Sequence, residues 1–405
     1  MKTILEKSLE VDSQIKDDRH HLHKIPEIGF YLPETASYVM KRLSEMGIES
    51  QICGGPLSDE LRAKFMKAGI PDMPESTGVV ATIGHGKPCI LLRADMDALP
   101  IEETEGLVDF TSEKKGLGHM CGHDAHTAML LGAAKMLKEM EDELNGTVKL
   151  MFQTGEELGC GSKFMIDNGV LENPKVDAAF AIHVMSQQPL GTIHYTRGIT
   201  SAAMDTYLVK IKGKGGHSST PHLAVDPLII ANQLYQSLNL LTSKEIDPRE
   251  TAVLAVGKMG GGTVANIIPD TASLDVGVRT FNRDVRNHIN ERIPALIDHT
   301  VKMWRGEYEF VDFHTPSTYT DEELLDKVLP FVEEIVGAEK VAAVPCMTGT
   351  EDFGYVSEAV PSVFMTLGVG NPEAAPMHNP NMVIDEEMLH LGSAVFVNIV
   401  KNMLK

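Results

Sequence analysis

The sequence predicts an α/β protein: a mainly parallel sheet with helices on both faces, interrupted by an inserted α+β unit. Three observations carry this. Residues 78–83, 88–93, 147–153 and 177–184 are short, largely apolar runs, the composition of strands buried on both faces. Long helix-patterned segments alternate with such runs, as parallel sheets require of their crossovers. From 201 to 315 the order becomes strand, helix, strand, strand, helix, strand, which is a split βαβ (ferredoxin-like) unit. At 405 residues the chain also exceeds the usual size of one hydrophobic core. The expected domains are 1–200 with 316–405, and 201–315 inserted between them.

The elements follow in order. Ile4, Leu5, Leu9, Ile15 and Leu22 recur at helical spacing, and Pro26 ends that helix. Pro33 and Glu34 open a second helix that runs to about 46 and stops at Gly47. Residues 54–76 hold an amphipathic piece, 59–67, between glycines and prolines, and read as an excursion from the core. After the strand at 88–93, an amphipathic helix is expected from 127 to about 144. In the inserted unit, 205–212 alternates apolar and polar residues as a half-exposed strand does. A helix at 224–241, strands at 251–256 and 272–280, a helix at 283–303 and a strand at 308–314 complete it. The chain then returns to the α/β pattern: helix 324–336, strands 341–344 and 362–367, and a terminal helix over 385–405.

Composition excludes several classes. The net charge of −21 argues against nucleic acid, which needs a basic face. No apolar run is long enough to span a bilayer, so no membrane partner is expected. The first nineteen residues are of mixed charge and lack the apolar core of a signal peptide. Cys53, Cys89, Cys121, Cys160 and Cys346 are odd in number and scattered, which fits free thiols. The expectation is a cytoplasmic protein.

The densest chemistry lies in Gly118-His119-Met120-Cys121-Gly122-His123-Asp124-Ala125-His126. Thiolate and imidazole are ligands for Zn²⁺ and similar ions. Open α/β sheets bind ligands beyond the carboxyl ends of their strands. Here one strand runs into Asp95 and Asp97, another into Glu156 and Glu157, and a third into His183; Met377-His378-Asn379-Pro380 follows a fourth. Taken singly, each of these residues has an ordinary reading as a satisfied polar group or a loop. Together Cys121, His123, Glu157, His183 and His378 are too many for one tetrahedral ion and suit a pair of ions sharing ligands. Glu156, beside such a ligand, could take a proton from an activated water and pass it to a leaving amine. Asp95 and Asp97 are candidates for orienting ligand histidines. His217 and His222 lie in the inserted unit, with a loop role and a site role both open.

These stretches resemble the co-catalytic metallo-aminoacylase and carboxypeptidase family, specifically its amidohydrolase branch. That branch includes hippurate hydrolases, N-acyl-amino-acid amidohydrolases, N-acetyldiaminopimelate deacetylases and plant hydrolases of indole-acetyl amino acids. The matches run from Arg19-His20-His21-Leu22-His23 through Leu92-Arg93-Ala94-Asp95-Met96-Asp97, Cys121-Gly122-His123-Asp124 and Phe152-Gln153-Thr154-Gly155-Glu156-Glu157. They continue through Gly215-Gly216-His217, Asn266-Ile267-Ile268-Pro269 and Glu351-Asp352-Phe353 to Met377-His378-Asn379-Pro380, nearly the whole length.

The resemblance implies metal ligands Cys121, His123, Glu157, His183 and His378, with Glu156 as general base. It implies two divalent ions per chain, Zn²⁺ or Mn²⁺ first and Co²⁺ or Ni²⁺ as alternatives. It implies that His217 and Asn266 meet the substrate or its oxyanion, in several relatives from the neighbouring subunit. Arg279 is a further substrate-binding candidate with a structural role as its alternative. The inserted unit would then be a lid and the interface of a homodimer or homotetramer. The implied reaction is hydrolysis of the amide in an N-acyl amino acid or a related small amide. A dipeptidase or carboxypeptidase, an aryl-amine aminohydrolase, a metal-binding protein without catalysis and a Cys121 nucleophile are the alternatives. The chain departs from the branch at Thr154 and Gly155, where it usually has Pro-Ala, at Met120, where it usually has Ala, and in the longer segment 54–76.

Overall fold

The computed structural model describes residues 2–405. The chain opens with α1 (Ile4–Lys24), held by a reciprocal cap in which Glu6 N donates to Thr3 Oγ1 at 3.1 Å and Thr3 N to Glu6 Oε2 at 2.7 Å. α2 (Pro33–Glu45), β1 (Ser50–Ile52), α3 (Asp59–Lys67), β2 (Val79–Gly84) and β3 (Cys89–Asp95) follow. Next come α4 (His123–Glu139), β4 (Thr147–Gln153), α5 (Gly161–Asp167), β5 (Ala178–Pro189) and β6 (Ile193–Tyr195). The inserted stretch holds β7 (Ala203–Lys212), α6 (Pro227–Glu245), β8 (Ala252–Gly261), β9 (Thr271–Thr280), α7 (Arg283–Met303) and β10 (Glu307–Thr315). The chain closes with α8 (Glu322–Val336), β11 (Val341–Ala343), α9 (Gly354–Ala359), β12 (Ser362–Gly370) and α10 (Leu389–Met403).

The main sheet has eight strands in the order β1-β2-β4-β3-β5-β12-β6-β11. β4, β3, β5 and β12 run parallel, as does the β6–β11 pair; β1–β2, β2–β4 and β12–β6 are antiparallel. The sheet is therefore mixed, with four parallel and three antiparallel pairs. Short connections cause two of the reversals. The turn between β2 and β3, and that between β5 and β6, are too short to hold a crossover helix.

Alternate residues of each central strand serve opposite faces. Ile90, Leu92 and Ala94 pack under α1, α4 and α10, while Cys89 and Leu91 face the layer of α5 and α9. The helix expected over 127–144 starts earlier, at His123, and is not amphipathic: every residue from 123 to 134 is buried. It lies between the sheet and the α1/α10 pair, so all its sides meet protein. Gly132 allows a close approach to α1, because a Cβ there would lie 2.7 Å from Ile15 Cδ1.

The inserted stretch forms its own antiparallel sheet in the order β8-β9-β7-β10, the strand order of a split βαβ unit. Tyr207, Val209, Ile211, Leu274, Val276 and Val278 form its core with α6 and α7. The opposite face of the sheet carries neither α6 nor α7; at one end Phe313 meets Phe65 of α3. The 54–76 excursion is ordered. Phe65, Leu57 and Met73 cluster with Phe30 of the main body, and Phe313 of β10 packs against them. Among the described residues no helix is long and apolar enough to cross a membrane.

Candidate metal centre

The site lies beyond the carboxyl ends of β3 and β4 and beside His183, which sits midway along β5 rather than at its end. Asp95 ends β3 beside Gln153 of β4, which places Asp97 against the turn that carries Glu156 and Glu157. The Gly122 turn delivers the next two candidates. Its φ of +82° favours glycine, and a Cβ there would lie 2.4 Å from Val184 Cγ2. That approach sets Cys121 Sγ 3.6 Å from His183 Nε2 on β5. His378 reaches the same point from the loop after β12, its Nε2 3.3 Å from Cys121 Sγ and 3.4 Å from Glu157 Oε1. Its backbone is held at φ +62°, rare for a side-chain-bearing residue, and its N–H donates to Met120 O at 2.7 Å. That contact uses only the Met120 backbone, so the departure from Ala there does not disturb it.

The five ligand candidates thus converge with Glu156. Cys121, His123 and His183 form one group, Cys121, Glu157 and His378 a second, and His123, Glu156 and Glu157 a third. Within each group the potential ligand atoms lie inside 4.8 Å of one another. The donors also need a cation. Both ring nitrogens of His123 and Glu157 Oε1 are buried without a hydrogen-bond partner. Each such group costs about 1–3 kcal/mol if nothing satisfies it. Thiolate, imidazole and carboxylate donors fit a divalent ion of the zinc type.

The two carboxylates expected to orient ligand histidines differ in what they hold. Asp97 behaves as expected: its Oδ1 is 3.6 Å from His123 Nδ1, and its carboxylate accepts the N–H groups of Glu156 and Glu157 at 3.1 Å each. Asp95 instead takes its short hydrogen bond, 2.6 Å, from His126 Nδ1. His126 Nε2 accepts Val184 N–H at 2.8 Å, so both its nitrogens are used and it is no ligand. His183 Nδ1 donates to Val184 O at 2.5 Å, which frees Nε2 toward Cys121.

Three residues given no role from the sequence complete the site. Arg93 is buried in β3 and pairs with Asp95 at 2.7 Å, Glu351 at 2.8 Å and Asp352 at 3.1 Å. Asp352 also accepts from Gln153 Nε2 at 2.7 Å and Ser162 N at 2.9 Å, and its own N–H points at Glu156 Oε1, 3.4 Å away. Burial, then the neighbouring carboxylates Glu351, Glu157 and Asp352, push the Glu156 carboxyl well above the usual range. For Glu157 burial acts the same way, but His378 and His123 outweigh it and hold the group low. Adjacent carboxylates are thereby set to opposite tendencies, the pattern of an acid–base group beside a ligand. An arginine inside an otherwise apolar strand was the available signal for this cage.

The cleft above the cluster has a volume of about 570 Å³ and is lined by Glu156, Glu157 and His378 on one side and Arg279, Phe313 and Ile70 on the other. Arg279 is fixed by donating to Thr348 O at 3.1 Å and Thr350 Oγ1 at 2.9 Å. His217 and Asn266 are not among the residues lining it. They stand together, exposed, on a short two-stranded ladder of the inserted unit, where His217 pairs with Ile267 and Ser218 N donates to Asn266 O. His222 is exposed on the same side chain-rich turn and joins none of the ligand groups.

Behind the Cys121 turn, Asp124 accepts from Arg19 Nε at 3.0 Å and His23 Nδ1 at 2.8 Å, and His23 Nε2 meets Glu103 at 3.0 Å. Burial alone would lower the His23 pKa, but the bonds to Asp124 and Glu103 raise it from 6.5 to about 9. A raised histidine stabilises the fold fully below its unfolded pKa and loses that contribution as pH rises through its folded one. Thermal unfolding should therefore show stability declining between pH 6.5 and 9. His23→Gln should cost about 1.5–3 kcal/mol at pH 6 and flatten that decline. An equal decline in the variant would exclude His23 as its source.

A family model described as peptidase family M20/M25/M40 matches residues 91–402. The N-acetyl-L-cysteine deacetylase of Bacillus subtilis (strain 168) is 35% identical over 397 residues, covering 97% of this chain and 89% of that protein. The IAA-amino acid hydrolase ILR1-like 4 of Arabidopsis thaliana is 35% identical over 397 residues, covering 95% of this chain and 84% of that protein. Among solved structures, the Bacillus subtilis YXEP protein, described as a dinuclear metal binding peptidase from the M20 family, superimposes with a TM-score of 0.74. It is 29% identical, and the match covers 98% of this chain and 99% of that one.

Proposed function

The chain belongs to peptidase family M20/M25/M40, and from that premise we propose that it is a metal-dependent amidohydrolase that cleaves N-acyl amino acids. The observation that carries the reading is the convergence of Cys121, His123, Glu157, His183 and His378 at one place, where Glu157, His378 and Glu156 line a cleft. Those five residues would hold two divalent ions, Zn²⁺ or Mn²⁺, with the Cys121 thiolate favouring Zn²⁺. Ions bound there supply Lewis-acid polarisation of the amide carbonyl and acidify a water for attack.

The chain's own groups do the rest. Glu156 accepts a proton from the attacking water and delivers it to the leaving nitrogen. Its burial beside Glu351 and Asp352 raises its proton affinity, which suits both halves of that task. Asp97 holds the Glu156–Glu157 turn in register with His123. Arg279, a fixed cation in the cleft wall, is placed to receive the carboxylate of the amino-acid half.

The domain boundaries proposed are 201–315 for a lid and 1–200 with 316–405 for the catalytic body. His217 and Asn266 would then serve the cleft of a second copy. Exposed Ile229, Tyr235 and Leu240 on α6, with Val253 on the edge strand β8, support pairing of two inserted units as a homodimer. The five free cysteines support a reducing, cytoplasmic setting.

The test is a substrate panel with metal-loaded protein. N-acetyl and N-benzoyl amino acids should release free amino acid, and esterifying their carboxylate should lower kcat/KM by about tenfold or more through loss of the Arg279 pairing. A preference for dipeptides over N-acyl amino acids would move the assignment to a peptidase.

A further inference from the structure

The metal cleft does not end at Arg279. Along β7, Met204 and Thr206 line the cleft, and Leu208 and Lys210, next on the same face, line a groove of about 1100 Å³. β10 repeats this: Phe313 belongs to the cleft, and Val311 and Glu309 to the groove. So does the wall opposite, where Ile70 faces the cleft and residues 67–69 face the groove. Cleft and groove thus share one floor, the face of the inserted sheet opposite α6 and α7, and one wall. Met204 to Lys210 spans about 20 Å at strand rise. β8 leaves the floor bare where it crosses it: no atom lies within 4 Å of a Cβ built on Gly260. Glycine in a strand often marks the close approach of a ligand or another backbone.

The wall is the segment 54–76, and it is braced on both units. Phe65 stacks on Phe313 at 5.7 Å and an interplanar angle of 14°, and Lys64 Nζ lies 3.4 Å from Asp312. On the other side Phe65 meets Phe30, and Ser76 Oγ bonds Thr154 Oγ1 at 2.9 Å. The long segment and the Thr154–Gly155 departure from the branch pattern therefore meet at one contact, two residues before Glu156.

We propose that this groove is a subsite for an extended apolar arm of the substrate, an unbranched alkyl or aryl chain attached to the scissile amide. The proposal rests on the amidohydrolase reading. The floor offers Leu208 and Val311 to the body of such an arm. Lys258 pairs with Asp275 at 3.4 Å in the same cross-strand row as Leu208 and Val311, and Lys210 pairs with Glu309 at 3.7 Å at the far end, so the charged groups on the floor neutralise one another. An acetyl group would leave the groove empty; a longer arm would follow it.

Two substrate series on metal-loaded full-length protein test this: N-acyl glycines from acetyl to decanoyl, and N-acetyl amino acids with lengthening side chains. In one series kcat/KM should rise by up to about fourfold per methylene until the groove is filled; which series rises tells which half of the substrate lies there. Gly260→Leu and Leu208→Asp should each lower the long-to-short kcat/KM ratio by about tenfold, with thermal unfolding measured to show that each variant is folded. Flat series, or a ratio that neither variant moves, would overturn the subsite. Affinity of N-decanoyl-glycine against N-acetyl-glycine for the Glu156→Gln protein reads the same groove without turnover. Absence of hydrolysis of every N-acyl substrate would fail the reaction assignment, and the affinity series would still decide the groove.

Discussion

Glu156→Gln lowers kcat by about 10²–10⁴-fold, the usual worth of a positioned general acid–base group, and leaves metal content at the wild-type level. The amide keeps the size of the carboxyl and can still accept from Asp352 N–H, so the turn and its Asp97 anchor are retained. It cannot take up and return a proton. Among the ligand candidates Glu156 groups only with His123, at 3.9 Å, and Glu157, so Cys121, His183 and His378 keep their mutual contacts. Steady-state kinetics with metal analysis of the same sample separates the outcomes. A near-normal rate would remove Glu156 from the proton path. Loss of metal with loss of rate would make it a ligand instead.

Arg93→Met destabilises the fold by about 3–5 kcal/mol, the cost of removing one partner from a buried charge cluster. Asp95, Glu351 and Asp352 surround the guanidinium, and all three are buried. Without the arginine they repel one another in a low dielectric. Burial and Glu351 already raise the Asp352 pKa to about 7 against the pull of Arg93, and removing that pull would drive it higher. Urea unfolding of wild type and variant measures the difference. The variant should recover part of its loss at acidic pH, where protonated carboxyls no longer repel. A loss below about 1 kcal/mol would show the cage to be hydrated and of little structural weight.

How much of this could be read in the sequence depends on where each cause lies. The central strands were legible because burial on both faces leaves an unbroken apolar run, as in Ile90-Leu91-Leu92. Their directions were not, since connections decide them; the short turns before β3 and after β5 made the sheet mixed. β1 and β6 are three residues each, too short for a period to show. α4 was placed but given a wet face, because only its neighbours α1 and α10 reveal that it has none. The ligand candidates were legible from chemistry: thiol, imidazole and carboxylate groups at successive strand ends have few other uses. The Arg93 cage was not, since its carboxylate partners Glu351 and Asp352 lie 258 and 259 residues away. Asn266 rested on resemblance alone and His217 was left open by its own residues; both stand on an exposed two-stranded ladder and do not line the cleft of their own chain.

The central claim is that hydrolysis depends on two ions held by this cluster. Metal-stripped protein, titrated with Zn²⁺ or Mn²⁺ while amino-acid release from an N-acetyl substrate is followed, tests it most directly. The account predicts no release from the stripped protein and full rate at two equivalents per chain, with both equivalents retained through gel filtration. Undiminished hydrolysis after stripping, or a chain that retains no ion, would contradict it.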